Sequence, residues 1–400
     1  MALASSTRQQ LRYIAEATWG TTPASGNSTE LRMTGQSLDY QLNKDYSKEI
    51  NATRQVRSLS VTKADASGGI DFDFSYKEYD ALLAGAFQSS WSTFGTAGVA
   101  TAANATFTTS TLVYASAPTG NDALTNLQAG QFVRIQCAVT SDPNHNKILP
   151  VVSASGTTIT FAAGSLTTNA AAQLVTVSSA ALTNGTTRQS FTLEVQYSDV
   201  NQFWAFRGME VNKLDLKLST GQFVSGSFGF IGKDGRRLAA TAMPGSPVAS
   251  QAGSVMSAVS GIKGILLDNV DFSTTYQTYI KDLSISLDNG MSGLDAVGTA
   301  ANVDLLNGTL KVEGSMSVYL NNGSLYDDFI NAVRHDVAIA MVDSSNQGYV
   351  LYLPEIEFSG ANVKPGSIDT PVMLDLKFQA LQDTTASKVY TNKSICLFRV

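Results

Sequence analysis

The sequence predicts a mainly β protein: two similar β-rich units in tandem, each with one short helix, and a smaller β-rich insert in the first. Three observations predict it. Only 15 % of the 400 residues are charged, against about a quarter in an ordinary soluble domain. Ser, Thr, Asn and Gly make up the difference, which suits packed strands better than helices with charged faces. Apolar and polar residues alternate with period two in many short runs, the pattern of half-buried strands. Those runs also recur in the same order in the two parts of the chain. The length allows two or three domains, each large enough for its own core.

Taken in order, residues 1–29 carry weak strand or helix signals and are expected to form an N-terminal arm. The repeat begins with Ser37-Leu-Asp-Tyr-Gln-Leu42 against Asp282-Leu-Ser-Ile-Ser-Leu287, an offset of 245 residues from Leu38 to Leu283. Residues 43–66 then read as a long loop. It gathers Lys44, Asp45, Lys48, Glu49, Arg54, Arg57, Lys63 and Asp65 into a mixed-charge patch within a charge-poor chain. Gly68-Gly-Ile-Asp-Phe-Asp-Phe74 matches Gly314-Ser-Met-Ser-Val-Tyr-Leu320 at 246, and Tyr79-Asp-Ala-Leu-Leu83 matches Tyr326-Asp-Asp-Phe-Ile330 at 247. The latter pair reads as amphipathic helices, with Tyr79, Leu82, Leu83 and Ala86 on one face and Tyr326, Phe329, Ile330 and Val333 on its counterpart.

Beyond the helices the offset falls. Phe191-Thr-Leu-Glu-Val195 matches Val337-Ala-Ile-Ala-Met341 at 146, Met209–Val211 matches Ile356–Phe358 at 147, and Val224–Phe230 matches Val372–Phe378 at 148. About a hundred residues are therefore inserted in the first unit. The insert contains its own alternating runs, Gln131-Phe-Val-Arg-Ile-Gln136 and Thr158-Ile-Thr-Phe161, and a surface loop accepts such an insertion at little cost. Ala242-Met-Pro-Gly-Ser-Pro247 has linker composition. The expected division is arm 1–29, first unit 30–92 and 188–237, insert 93–187, linker 238–275, and second unit 276–400.

The sequence argues against chemistry. A net charge of −6 gives no basic footprint for gripping nucleic acid. Two distant cysteines, Cys137 and Cys396, read as free thiols rather than a disulfide scaffold or zinc site. No phosphate loop, dinucleotide fingerprint, H-E-x-x-H or serine-nucleophile motif occurs. Asp142, Asn144 and Asn146 alternate as oxygen ligands would, but Lys147 and Ser153 stand where a calcium loop wants Gly and Glu; an exposed turn is expected, with His145 in it. His335 reads as a helix-terminal residue. Asp71 and Asp73 share one face of a strand whose other face is Ile70, Phe72 and Phe74, so they read as the outward face rather than a glycosidase pair. No catalytic residue, cofactor site or metal site is expected. No membrane helix and no signal peptide are read, which points to assembly in the cytoplasm. Two β-rich copies with little chemistry suggest a building block that associates head to tail into closed rings. The charged segment 43–66 would then set register against a complementary face.

Several short motifs resemble the tail tube proteins of long-tailed, siphovirus-type bacteriophages. They are Glu16-Ala-Thr-Trp19-Gly-Thr-Thr-Pro23, Ser47-Lys-Glu-Ile50 with Arg54-Gln55, Gly69-Ile with Ser75-Tyr76 and Tyr79-Asp80, Phe206-Arg-Gly-Met209 with Asn212-Lys-Leu214, Leu353-Pro354, and Phe378-Gln-Ala-Leu381. Leu127-Gln-Ala-Gly130-Gln-Phe-Val-Arg-Ile135 in the insert is similar as well. The resemblance spans nearly the whole chain, and the order of the motifs carries more weight than any one.

The resemblance implies two tandem β-sandwich tube domains, each with a flanking helix, and an inserted β-domain decorating the outside. It implies trimeric rings of pseudo-sixfold symmetry that stack into a hollow tail. DNA would pass through without specific binding, and no catalytic residue or cofactor is carried over. Implied partners are further copies of the chain, the tape measure protein in the lumen, and the tail terminator and distal tail proteins at the ends. The implied place is the virion tail, assembled in the host cytoplasm. Candidate inter-ring residues are Lys48, Glu49, Arg54 and Arg57; candidate lumen-facing residues are Asp71 and Asp73. Two other readings stand beside it. One is a porin-like β-barrel channel, which shares the low charge and alternation but not the helices. The other is a carbohydrate- or surface-binding insert, whose aromatics Phe107, Tyr114, Phe132 and Phe161 read as its core.

Overall fold

The computed structural model describes residues 3–50, 52–94, 103–384 and 392–400. Among these, the strands form one nineteen-stranded system, a separate seven-stranded sheet and a two-stranded hairpin. The large system repeats one pairing order. In the first half, Asp39–Tyr46, Leu59–Asp73, Ser225–Gly232, Gln202–Ser219, Ser190–Tyr197 and Gln9–Ala15 are successive antiparallel neighbours. In the second, Ile280–Asp288, Lys311–Tyr319, Met373–Ala380, Gly348–Lys364, Arg334–Val342 and Ile262–Leu267 follow in the same order. Each half has one long strand, Gln202–Ser219 or Gly348–Lys364, that pairs outward along its first part and inward along its last. A register shift lies at the changeover in both, after Val211 and after Phe358. Such bulges bend a strand, so each sheet folds over on itself and becomes a sandwich.

One continuous core joins the layers, with Leu11, Val195 and Phe206 from outer strands and Ile70, Phe228, Leu287 and Leu376 from inner ones. The inner strands Ile280–Asp288, Lys311–Tyr319 and Met373–Ala380 bury every second side chain, as the alternation predicts. Gly314 is a glycine because the Phe378 ring crosses its face; a Cβ there would stand 2.1 Å from a ring carbon. The helices Asp80–Phe87 and Ser324–Ile330 follow equivalent strands.

The register corrects the sequence alignment in detail. Gly35 faces Asp71 as Asp282 faces Ser317, an offset of 247 rather than 245. Phe191 faces Met209 as His335 faces Ile356, an offset of 144 rather than 146. Both slips are two residues, because alternation specifies which face a side chain takes but repeats every two positions. The segment expected as an arm supplies Gln9–Ala15, paired along Ser190–Tyr197. The segment expected as a linker supplies Ile262–Leu267, paired along Arg334–Val342. Residues 43–66, expected as a loop, are half strand, 43–46 and 59–66 pairing as a hairpin.

Within the insert, strands from Ala103–Phe107 to Asn169–Ser178 form the seven-stranded sheet around a core of Phe107, Tyr114, Ile135, Phe161 and Val175. Residues 95–102, at its expected start, lie outside the described residues. Phe132 departs from expectation: it packs on Tyr352 and Phe398 of the large system, at ring separations of 5.9 and 5.6 Å. Ala180–Thr183 also joins the large system, against Cys396–Arg399.

Candidate assembly interface

The inner strands of both halves make one surface. Lys213–Ser219, the last part of the first long strand, pairs on one edge with Ser225–Gly232 and on the other with Ile280–Asp288 of the second half. Directly opposed residues share a face, so the pairings trace rows across the sheet. Ile70, Phe228, Leu214, Leu287 and Val312 form one row and are all buried. Asp71, Ser227, Asp215, Ser286, Glu313 and Gln379 form another on the opposite face. That polar face also holds Asp73, Asp282, Asp288 and Asp375 with Lys213, Lys217, Lys311, Lys364 and Lys377, so carboxylates outnumber ammonium groups. Lys213 pairs with Asp215 at 3.3 Å, and Lys364 pairs with Asp375. The Lys364 hydrogen bond, followed by one from Ser317, holds the Asp375 carboxyl below its usual range. Asp71 and Asp73 thus lie on the polar face, Asp71 exposed and Asp73 half-buried.

The junction between halves has two unfilled counterparts. Among the described residues, Gly35–Gln36 and Asp39–Tyr46, of which 35–41 are the equivalents of 282–288, pair only with Leu59–Asp73. Gly360–Lys364, the equivalent of Lys213–Lys217, pairs only with Met373–Lys377. Each is a bare edge at one end of the inner sheet, a ready template for another strand.

The hairpin formed by Asp39–Tyr46 and Leu59–Asp73 projects beyond the body. Leu42, Tyr46, Leu59 and Val61 lie on one face and are exposed. Its tip, 47–58, carries Lys48, Glu49, Arg54 and Arg57, all exposed. Near its base Lys63 pairs with Asp295 at 3.3 Å, and the Ala64 amide donates to the Ala300 carbonyl at 2.7 Å.

Two of the motifs that carry the family resemblance act as internal staples. The Glu16 carboxylate accepts from the Gly20 and Gly208 amides at 2.7 and 2.9 Å and from the hydroxyls of Ser190 and Thr192 at 2.9 and 2.7 Å. Trp19 Nε1 donates to the Gly208 carbonyl, and the Lys233 ammonium lies 5.0 Å over the Trp19 ring. Gly208 has φ +65°, and a Cβ there would stand 3.0 Å from the indole, so only glycine fits. At the other motif, Asp80 on the first helix accepts from the Tyr349 hydroxyl at 2.5 Å and pairs with Arg399. Burial, reinforced by the Asp80 charge, pushes the Tyr349 hydroxyl well up, so it stays a donor.

The remaining candidates are structural. Asp142 and Asn144, expected in an exposed turn, are buried. Asp142 accepts from the Asn144 amide at 2.7 Å and from Asn169 and Gln173 at 2.6 Å each; burial opposes the charge, but these bonds hold the carboxyl below its usual range. His145 Nδ1 accepts from the Cys137 amide. His335, expected at a helix end, is buried in a strand, with Nδ1 2.8 Å from Asp268 and Nε2 3.5 Å from Asp328. Burial pushes the Cys137 thiol up to about 12, and both cysteines are buried and free. No group of three or more His, Cys, Asp or Glu among the described residues could hold a metal ion. No helix among them is long and apolar enough to cross a membrane.

A family model described as phage tail tube protein matches residues 6–380. No curated protein matches the chain.

Proposed function

Since the chain belongs to the phage tail tube protein family, a structural family whose place is the virion tail, we propose that three chains close head to tail into a ring, and that stacked rings make the hollow tube through which DNA passes. The observation that carries this reading is the junction between the halves, where Lys213–Ser219 pairs with Ile280–Asp288. The same junction can form between chains, because its two counterparts are bare edges at opposite ends of one sheet. Such a contact is heterologous, and heterologous contacts close when the rotation permits. Two similar units per chain would give three chains pseudo-sixfold symmetry. The division into first unit, insert and second unit is part of this proposal, with Gln9–Ala15 and Ile262–Leu267 as the outer strands of the two units.

Closed this way, the polar face with Asp71 and Asp73 would line the lumen. Excess carboxylate suits a conduit for DNA: phosphate contacts supply most nonspecific affinity, and an acidic wall withholds them. The exposed hairpin, with Lys48, Glu49, Arg54 and Arg57 at its tip, would reach the adjacent ring. Before DNA, the lumen would hold the tape measure protein; terminator and distal tail proteins would meet the ends. The insert would stand outside, and assembly would take place in the host cytoplasm.

Transferring the internal register to the ring contact sets Gly360 opposite Gln41, Ala361 opposite Tyr40 and Asn362 opposite Asp39. Electron cryo-microscopy of the polymer should show threefold rings. An Asn362→Cys, Asp39→Cys variant should oxidise to covalent trimers, since opposed strand residues suit disulfide geometry. Absence of the chain from purified virions, or monomers alone under oxidation, would overturn the reading.

A further inference from the structure

We propose that the open flank of the first half seats the helix Ser324–Ile330 of a neighbouring chain, with Arg236 and Arg237 pairing there with Asp327. The proposal rests on the head-to-tail ring and names the side chains that would give its contact direction and specificity.

Two clefts occupy equivalent places. One, of about 250 Å³, is lined by Leu38, Tyr40, Trp204, Gly235 and Arg237 among others. The other has Ile285, Leu287, Leu351, Ile395 and Leu397 at the same positions and is reduced to about 10 Å³. The equivalence follows from register. Trp204 faces Arg237 as Leu351 faces Leu397, and Leu38 and Tyr40 hold the inner-strand places of Ile285 and Leu287.

What fills the second cleft comes from the first half. Leu83 and Phe87, one turn apart on the first helix, enter it beside Leu214 and Leu216. Both helix residues are buried, at 0 and 2 % exposure. The two helices end alike, each closed by a residue at positive φ, Gln88 and Ala332. The places of Leu83 and Phe87 therefore fall to Asp327 and Asn331, both exposed, while Tyr326 and Ile330, at the places of Leu82 and Ala86, are 39 and 61 % exposed. Ala361 and Val363, which hold the places of Leu214 and Leu216, lie on the bare edge. The chain thus has an unfilled seat at one end and an unseated helix at the other, related as the filled pair is.

Charge distinguishes the two seats. Arg237 stands where the filled cleft has Leu397, with Arg236 beside it at the mouth. By the register of the helix ends, which corrects the offset of 247 read from sequence to 244, exposed Asp327 stands where the seated helix has Leu83. The internal contact is apolar and permanent. The contact between chains sets opposite charges in those places, which steers docking and suppresses wrong partners. The first helix offers Arg237 no such counterpart on its seated face, so the open flank discriminates for the second.

The test is charge exchange in the full chain. The Arg236→Asp, Arg237→Asp variant should fold with an unchanged unfolding midpoint but associate at least tenfold more weakly by sedimentation velocity. Adding Asp327→Arg should restore association. As a second arm, Ile330→Ser changes an exposed residue and should weaken association without altering the midpoint. Unchanged association in the charge-reversed variant overturns the proposal, and so does a loss that Asp327→Arg leaves uncorrected. In either case, covalent trimers from the Asn362→Cys, Asp39→Cys pair in the native background would leave the ring standing. Failure of that pair to cross-link would bring down the ring and the seat together.

Discussion

At equivalent points in its two halves the chain makes a hairpin, and the two hairpins end differently. In the second half the turn between Ile280–Asp288 and Lys311–Tyr319 folds back on the first half. Asn289 Nδ2 donates to the carbonyls of Ala86 and Val211, Asn302 Nδ2 to that of Gly232, and Arg188 bonds the Leu305 carbonyl and pairs with Asp304. In the first half the hairpin projects, and Leu42, Tyr46, Leu59 and Val61 stay in solvent. Large apolar side chains exposed together usually mark an interaction surface. One topology therefore ends in two ways: the folded-back hairpin secures a contact within the chain, and the projecting one keeps its apolar face in solvent.

The largest effect should come from removing that difference. Replacing the tip, 47–58, by a short turn and neutralising what remains of its charge should leave the fold intact, since none of the tip's described residues is buried. It should abolish long polymers in sedimentation and electron microscopy. Polymers of native length would mean that the projecting hairpin is idle. A smaller effect belongs to the folded-back side. Asn289→Ala strips a donor from two carbonyls at the internal junction, which should cost about 1–3 kcal/mol. Denaturant unfolding would read the loss, and an unchanged midpoint would show that the junction does not depend on it. The smallest effect should follow excision of 103–178. That cut retains Ala180–Thr183, which pairs with Cys396–Arg399, and should leave polymer length unchanged. Lost assembly by a folded product would give the insert a place in the contact itself.

How much of this was legible in the sequence follows from what alternation encodes. It revealed the inner strands, put Asp71 and Asp73 opposite Ile70 and Phe72, and exposed the repeated order. It could not tell an offset of 245 from 247, because a slip of two keeps Leu38 facing the core. Gln9–Ala15 was read as an arm because Gln-Gln-Leu-Arg-Tyr-Ile-Ala alternates poorly; it is a strand because Leu11 reaches the core and Glu16 is bonded just beyond it. His335 seemed helix-terminal because Ser324–Ile330 ends sooner than its periodicity suggests, at Ala332 with φ +51°. The open flank could not be read at all. Trp204, Arg237 and Ile330 look ordinary one by one, and only the filled cleft elsewhere in the same chain shows that a partner is lacking.

The staple at Glu16 bears on the order in which the chain can fold as it is made. Its four donors lie at residues 20, 190, 192 and 208, so three of them emerge from the ribosome long after it does. Gln9–Ala15 waits equally long for Ser190–Tyr197. The seven-stranded unit at 103–178 has every sheet partner close in sequence and is the first part that can complete itself, because local contacts form earliest. Until about residue 232 has been synthesised, the first sandwich lacks three of its strands. During that interval its hairpin is a bare, apolar ribbon, and growing chains held close together on one messenger would meet it before its own partners arrive.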